Sequence, residues 1–160
     1  RELYRAKGYS DEWIARRERG IAVRDTLTDE WKKRGIKEGK EYAILTAEIS
    51  KATFGITPSQ HKKIKSLDRP SENLRDHMTD LELLFTALGE ASTTEIAKTH
   101  DVYGMTQNVS AAQAGGKIAG DARAALEAKT GRNVVSPSNY KDLHEAEVRK
   151  LIKANANEEK

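Results

Sequence analysis

Cysteine is absent from this 160-residue chain, which excludes disulfide frameworks, thiolate zinc sites and thiol nucleophiles. Proline is nearly absent too, with three in all at Pro58, Pro70 and Pro137, so long stretches carry no helix breaker. Aromatic residues make up 6%, too few to interleave with basic side chains as stacking platforms for single-stranded nucleic acid. No apolar run approaches the roughly 20 residues a membrane-spanning helix needs, and no basic-then-apolar leader opens the chain. These absences lead us to expect a soluble, cytoplasmic protein with an ordinary apolar core, needing neither disulfides nor a structural metal.

Charge is abundant instead, at 33% of residues. The formal net of +3 conceals an asymmetry. Residues 1–70 hold 17 Lys+Arg against 11 Asp+Glu, a net of +6, while residues 71–160 hold 11 against 14, a net of −3. A basic half points to nucleic acid or an acidic partner, or it is the block variation of a highly charged helical chain.

The punctuation divides the chain into helices. Ser10 is an N-cap followed by the first-turn acids Asp11 and Glu12, and the basic run Lys32-Lys33-Arg34 precedes Gly35, which predicts a long helix over 11–34. Its apolar stripe takes in Trp13, Ile14, Ile21, Leu27 and Trp31, leaving Arg16, Arg17, Arg19 and Arg24 on other faces. Tyr42, Leu45, Ile49 and Ala52 recur at helical steps up to Gly55. Thr57-Pro58 opens a short helix and Ser71-Glu72 another short element. Thr79-Asp80 opens a long helix to about His100, with Leu81, Leu84, Phe85, Leu88 and Ala91 expected on its inner face.

A second long helix is expected at about 106–129. Ala112, Gly116, Gly120 and Ala124 fall four apart there, and glycine inside a helix costs about 1 kcal/mol relative to alanine. Close approach of another backbone, within the fold or between protomers, would compensate. Gly131 caps that helix, and a last segment is expected around Leu143 to Ile152. The fold class is therefore all-α, with five to seven helices, two of them long, in one domain over 1–153 followed by a polar tail over 154–160. No period of 20 to 50 residues recurs, so a solenoid is excluded.

The strongest basic cluster is His61-Lys62-Lys63-Ile64-Lys65 with Arg69. Together with Arg16 and Arg17 it makes Arg16, Arg17, Lys62, Lys63, Lys65 and Arg69 the candidate contacts for a duplex phosphate backbone, the alternative being a solvated face. Thr93-Thr94-Glu95-Ile96-Ala97-Lys98 echoes a helix-turn-helix entry, but the unbroken pattern from Leu81 argues for one continuous helix. His61, His77, His100 and His144 have Asp76, Asp80 and Asp101 near them in sequence, without metal-ligand spacing. Adjacent Asp76 and His77 point about 100° apart on a helix. Gly115-Gly116-Lys117 lacks the strand and the Gly-Lys-Ser/Thr order of a phosphate loop. We therefore expect no enzyme, no cofactor and no metal site.

The phrases WKKRGIKEGKEYAILTAEISKATFGITPSQHKKIKSLDRPSENLRDH, from Trp31 to His77, MTDLELLFTALGEASTTEIAKTH and AAQAGGKIAGDARAALEAKTGRNVVSPSNY carry a resemblance. Over residues 10–140 the chain resembles the C-terminal region of the DNA damage-inducible protein D family and related bacterial and prophage antirepressors with a BRO N-terminal domain. The resemblance implies a regulator of the DNA-damage response in which the BRO domain precedes this helical part. This chain opens at Arg1 in mid-phrase without that domain, so we expect a piece of a longer protein, and DNA binding owed to the BRO domain does not transfer to it. The expected function is a non-catalytic interaction domain that associates with a repressor, a recombinase or a second protomer; direct nucleic-acid binding is the alternative.

Overall fold

A computed structural model describes residues 1–139 and 153; the expected segment around Leu143 to Ile152, His144 and the tail 154–160 lie outside the described residues. The described chain is all-helical. Its α-helices are α1 (Glu2–Ala6), α2 (Asp11–Lys33), α3 (Lys40–Phe54), α4 (Pro58–Ile64), α5 (Asp80–Thr99) and α6 (Gly104–Thr130), and a 3-10 turn at Leu74–His77 stands between α4 and α5. That turn begins three residues after Ser71, where the sequence suggested an element.

Local chemistry accounts for the boundaries. The Ser10 hydroxyl accepts from the Trp13 amide, and Lys32 and Lys33 sit in the last turn of α2, where the helix dipole favours cations. Thr57 and Gln60 form a reciprocal capping box at α4, and Thr79 with Glu82 forms another at α5. Gly55 and Gly131 end α3 and α6 in the left-handed conformation that glycine adopts without a Cβ penalty. The short α1 was not expected from the sequence. It brings Tyr4 edge-on to Tyr9, which stacks on Trp13 at a centroid distance of 4.2 Å.

Packing centres on α5, which touches α2, α3 and α6, while α6 also lies along α3. The close approach comes from glycine. A Cβ on Gly115 would lie 2.5 Å from the Thr93 backbone nitrogen of α5, one on Gly116 would lie 2.7 Å from the Ile49 carbonyl of α3, and one on Gly120 would run into the Ala52 carbonyl. Helix α6 is thus a wedge, with Gly115 against α5 and Gly116 and Gly120 against α3. Apolar clusters fill the rest: Trp13, Ile14, Leu74 and Leu83 at one end, and Leu27, Trp31, Leu45, Ile49 and Ala112 further along.

Two expectations about which face is buried are corrected. On α2, Trp13, Ile14, Leu27 and Trp31 are buried but Ile21 is 37% exposed, and Arg17 is 6% exposed on the inner side. On α5 the faces are reversed. Glu82, Leu83, Gly89, Glu90, Thr93 and Ala97 point inward, while Leu81, Leu84 and Leu88 are 44%, 44% and 39% exposed. Small and polar residues face in because α6 comes too close for leucine, and because both glutamates find partners there.

Candidate functional site

Buried charge is where the residues assemble chemistry. Glu90, on the inner face of α5, accepts from Arg75 in two parallel bonds, Nη1 to Oε1 at 2.6 Å and Nη2 to Oε2 at 3.0 Å. Arg24 of α2 adds Nη1 to Oε2 at 2.7 Å, bonds Thr46 Oγ1 at 2.7 Å with Nη2, and lies 5.0 Å over the Trp31 ring. Burial pushes the Glu90 carboxyl up, but Arg75 first and Arg24 second outweigh it and hold it below the ordinary carboxylate range. Burial likewise pulls the Arg75 guanidinium down, yet Glu90 leaves it raised.

Glu82 forms a second buried cluster. His61 Nε2 and Lys65 Nζ both meet its carboxylate, and the Thr79 amide donates to Oε1 at 2.9 Å. Burial raises the carboxyl and these donors together bring it below its ordinary range. Lys65 also reaches the Ser138 carbonyl, and Asn139 pairs with His77 Nδ1, which fastens residues 138–139 back onto the domain. His61 is fully buried against Phe54, and its Nδ1 has no hydrogen-bond partner among the described residues. Nε2 is therefore assigned the proton that Glu82 accepts.

A third acid, Asp76, accepts from Arg17 Nε and Tyr4 Oη, both at 3.0 Å. The pairs share a direction. Arg16–Asp80, Arg17–Asp76, Arg24–Glu90, Arg34–Asp101 and Lys65–Glu82 each join the basic first half of the sequence to the acidic second half. The charge asymmetry is thereby partly offset inside one molecule, with the net +3 left over.

Placement of the six basic candidates follows. Lys65 and Arg17 are buried in ion pairs, and Arg16 is tied to Asp80 at 3.2 Å. Lys62 is half-buried, Lys63 and Arg69 are exposed, and these three have no ion pair among the described residues. The structure therefore does not bring the six onto one stripe. Of the small-residue set, Ala112, Gly116 and Gly120 are buried and Ala124 is exposed. Gly115 and Ala119, which the four-residue spacing left out, are buried as well. Among the described residues no group of three His, Asp or Glu could hold a metal, and no helix is long and apolar enough to cross a membrane.

Two of the open surfaces adjoin these clusters. One is the leucine row of α5. Beside it runs a shallow groove against α2, lined by Glu12, Arg16, Arg19, Leu84 and Ala87. The other is a cleft of about 420 Å³ between α3, α4, residues 70–75 and α5. Ile49, Phe54, Leu74 and Met78 form apolar walls there, with Arg75 and Glu90 inside. Sequence reading missed both surfaces. Leucines at 81, 84 and 88 read as core, and the cleft joins residues as far apart as Thr46 and Glu90.

An all-α chain with buried glutamates paired to basic side chains, an exposed leucine row and an apolar-walled cleft is the class these features define. Comparison with protein-family models, curated proteins and solved structures finds no match for the chain.

Proposed function

We propose that this chain is a non-catalytic association domain of a regulator resembling the DNA damage-inducible protein D and BRO-domain antirepressor families, and that its partner is a second copy of itself. The carrying observation is the leucine row on α5: three large apolar side chains at i, i+3 and i+7, each more than a third exposed.

Self-association is favoured over a partner of strong charge by what borders the row. Glu12 and Asp80 stand against Arg16 and Arg19, so the rim carries both signs equally. In an antiparallel pair of α5 helices about a two-fold axis, Leu84 of one copy meets Leu88 of the other, and Leu81 meets the small, exposed Ala91. Large side chains thus face one another at the centre and a large one faces a small one at the ends. One helix row buries less than the roughly 800 Å² per partner of a standard interface, so the dimer is weak, with a Kd of about 10 to 100 μM. Direct nucleic-acid binding has less support, because Arg17 and Lys65 are committed to buried carboxylates.

Sedimentation velocity across 5 to 500 μM chain tests the reading (range chosen about the expected Kd). The expected result is a mass that rises toward twice that of the chain, and a Leu84→Glu/Leu88→Glu variant that stays monomeric while melting as the parent does. A strictly monomeric parent across the range, or a double variant that still associates, would defeat it. If the monomer instead binds a repressor or recombinase through the same leucines, the row is a hetero-interface.

A further inference from the structure

The cleft between α3, α4 and the 70–75 loop has features that self-association does not use. Its volume of about 420 Å³ falls within the range of small-molecule sites, and its walls at Ile49, Phe54, Leu74 and Met78 are apolar. Its unused polar capacity leans toward donors. Of the acceptors inside, both Glu90 oxygens take bonds from arginine and Asn73 Oδ1 takes the Arg75 amide at 3.0 Å, which leaves the Glu72 carboxylate and the Ser71 hydroxyl at the lining without a partner among the described residues. The unfilled donors are Lys62 Nζ, Asn73 Nδ2 and Arg75 Nε, none of which has an acceptor among the described residues. Ser50 is not among them, since its hydroxyl already donates to the Ile56 carbonyl at 2.7 Å. Charge agrees with this. Behind the wall two arginines share a single glutamate, which leaves one positive charge in excess, and at the lining Lys62 offsets Glu72.

We propose that this cleft binds a small amphipathic organic anion, a carboxylate on an apolar body, with the body against Ile49, Phe54, Leu74 and Met78 and the carboxylate held by Lys62, Asn73 and Arg75. Three donors without acceptors beside apolar walls match such a molecule, whereas a cation would meet one free carboxylate, Glu72, which Lys62 offsets, and the neutral Ser71 hydroxyl. The site is separate from the leucine row, so its occupancy and the dimer are independent claims.

Sodium octanoate is the probe, titrated into the isotope-labelled chain and followed by amide chemical shifts. Saturable shifts are expected at Thr46, Ser50, Thr53, Lys62, Asn73 and Arg75, with a Kd of about 1 mM, ordinary for a ligand of roughly ten non-hydrogen atoms. Lys62→Glu should weaken binding by about fivefold or more at an unchanged melting temperature, and Lys62→Arg should retain it. Octanol and octylammonium serve as neutral and cationic controls and should bind at least about fivefold more weakly. Shifts that fail to saturate, equal binding of octylammonium, or shifts confined to Leu81, Leu84 and Leu88 would each overturn the proposal. If Lys62→Glu melts lower than the parent, Lys62→Gln replaces it, and unchanged octanoate affinity in that variant would overturn the role of Lys62.

Discussion

Glu90 is 1% exposed and takes three hydrogen bonds from two arginines, so removing its charge leaves two part-buried guanidiniums sharing a site with no counter-charge. Glu90→Gln should therefore lower unfolding free energy by about 3 kcal/mol at pH 7, measured by urea denaturation. The same residue sets a pH dependence whose sign follows from linkage. A carboxyl held below its unfolded value near 4.3 binds fewer protons when folded, so its contribution is full above that pH and fades as pH falls toward the depressed folded value. Glu82 acts in the same sense. The gap between parent and Glu90→Gln should be constant from about pH 7 to 5 and narrow below about pH 4, where Glu90 itself is neutralised. A gap independent of pH would show that shape rather than charge is what the substitution removes.

At the scale of the element, two glycines in long helices make opposite forecasts. Gly20 in α2 has nothing within 4 Å of where a Cβ would stand, so Gly20→Ala should stabilise by about 0.5 to 1 kcal/mol through helix propensity alone. Gly120 in α6 meets the Ala52 carbonyl, a backbone atom that cannot swing aside, so Gly120→Ala should destabilise by about 1 to 3 kcal/mol despite the same propensity gain. Thermal melting of the two variants side by side decides it. Helices α2 to α6 were legible in the sequence, since Ser10, Thr57, Thr79, Gly55 and Gly131 mark ends among them by local chemistry, while the uncapped α1 was not. Which way α5 faces was not. Apolar periodicity selects the leucine side, whereas burial of Glu82 and Glu90 depends on His61, Lys65, Arg24 and Arg75, side chains that periodicity along α5 never samples. The spacing of Ala112, Gly116 and Gly120 identified one tight face of α6 and missed the neighbouring one at Gly115, because it presumes a single partner and α6 has two.

For the whole molecule, the +6 and −3 halves are bridged by five ion pairs, which predicts that the two parts recognise each other. Fragments 1–69 and 70–160, separated in the exposed stretch before Pro70, should reassemble when mixed. Both tryptophans lie in the first fragment and become buried, so their fluorescence reports the rate. That rate should fall about tenfold between 50 and 500 mM NaCl, as opposite net charges no longer steer the encounter; a rate indifferent to salt would contradict the idea. The candidate ligand and partner surfaces were legible only after folding, because each depends on which side chains the long-range pairs leave unused. Those pairs also impose an order of events on the ribosome. Arg17 and Arg24 wait for Asp76 and Glu90, which are 59 and 66 residues further along the chain. At about 5 to 20 residues per second, that is a delay of roughly 3 to 13 s. During it α2 has been synthesised with Trp13 not yet covered by Leu74, Met78 and Leu83 and with these arginines unmatched, whereas Trp31 needs only Tyr42, Leu45 and Ile49 close behind it.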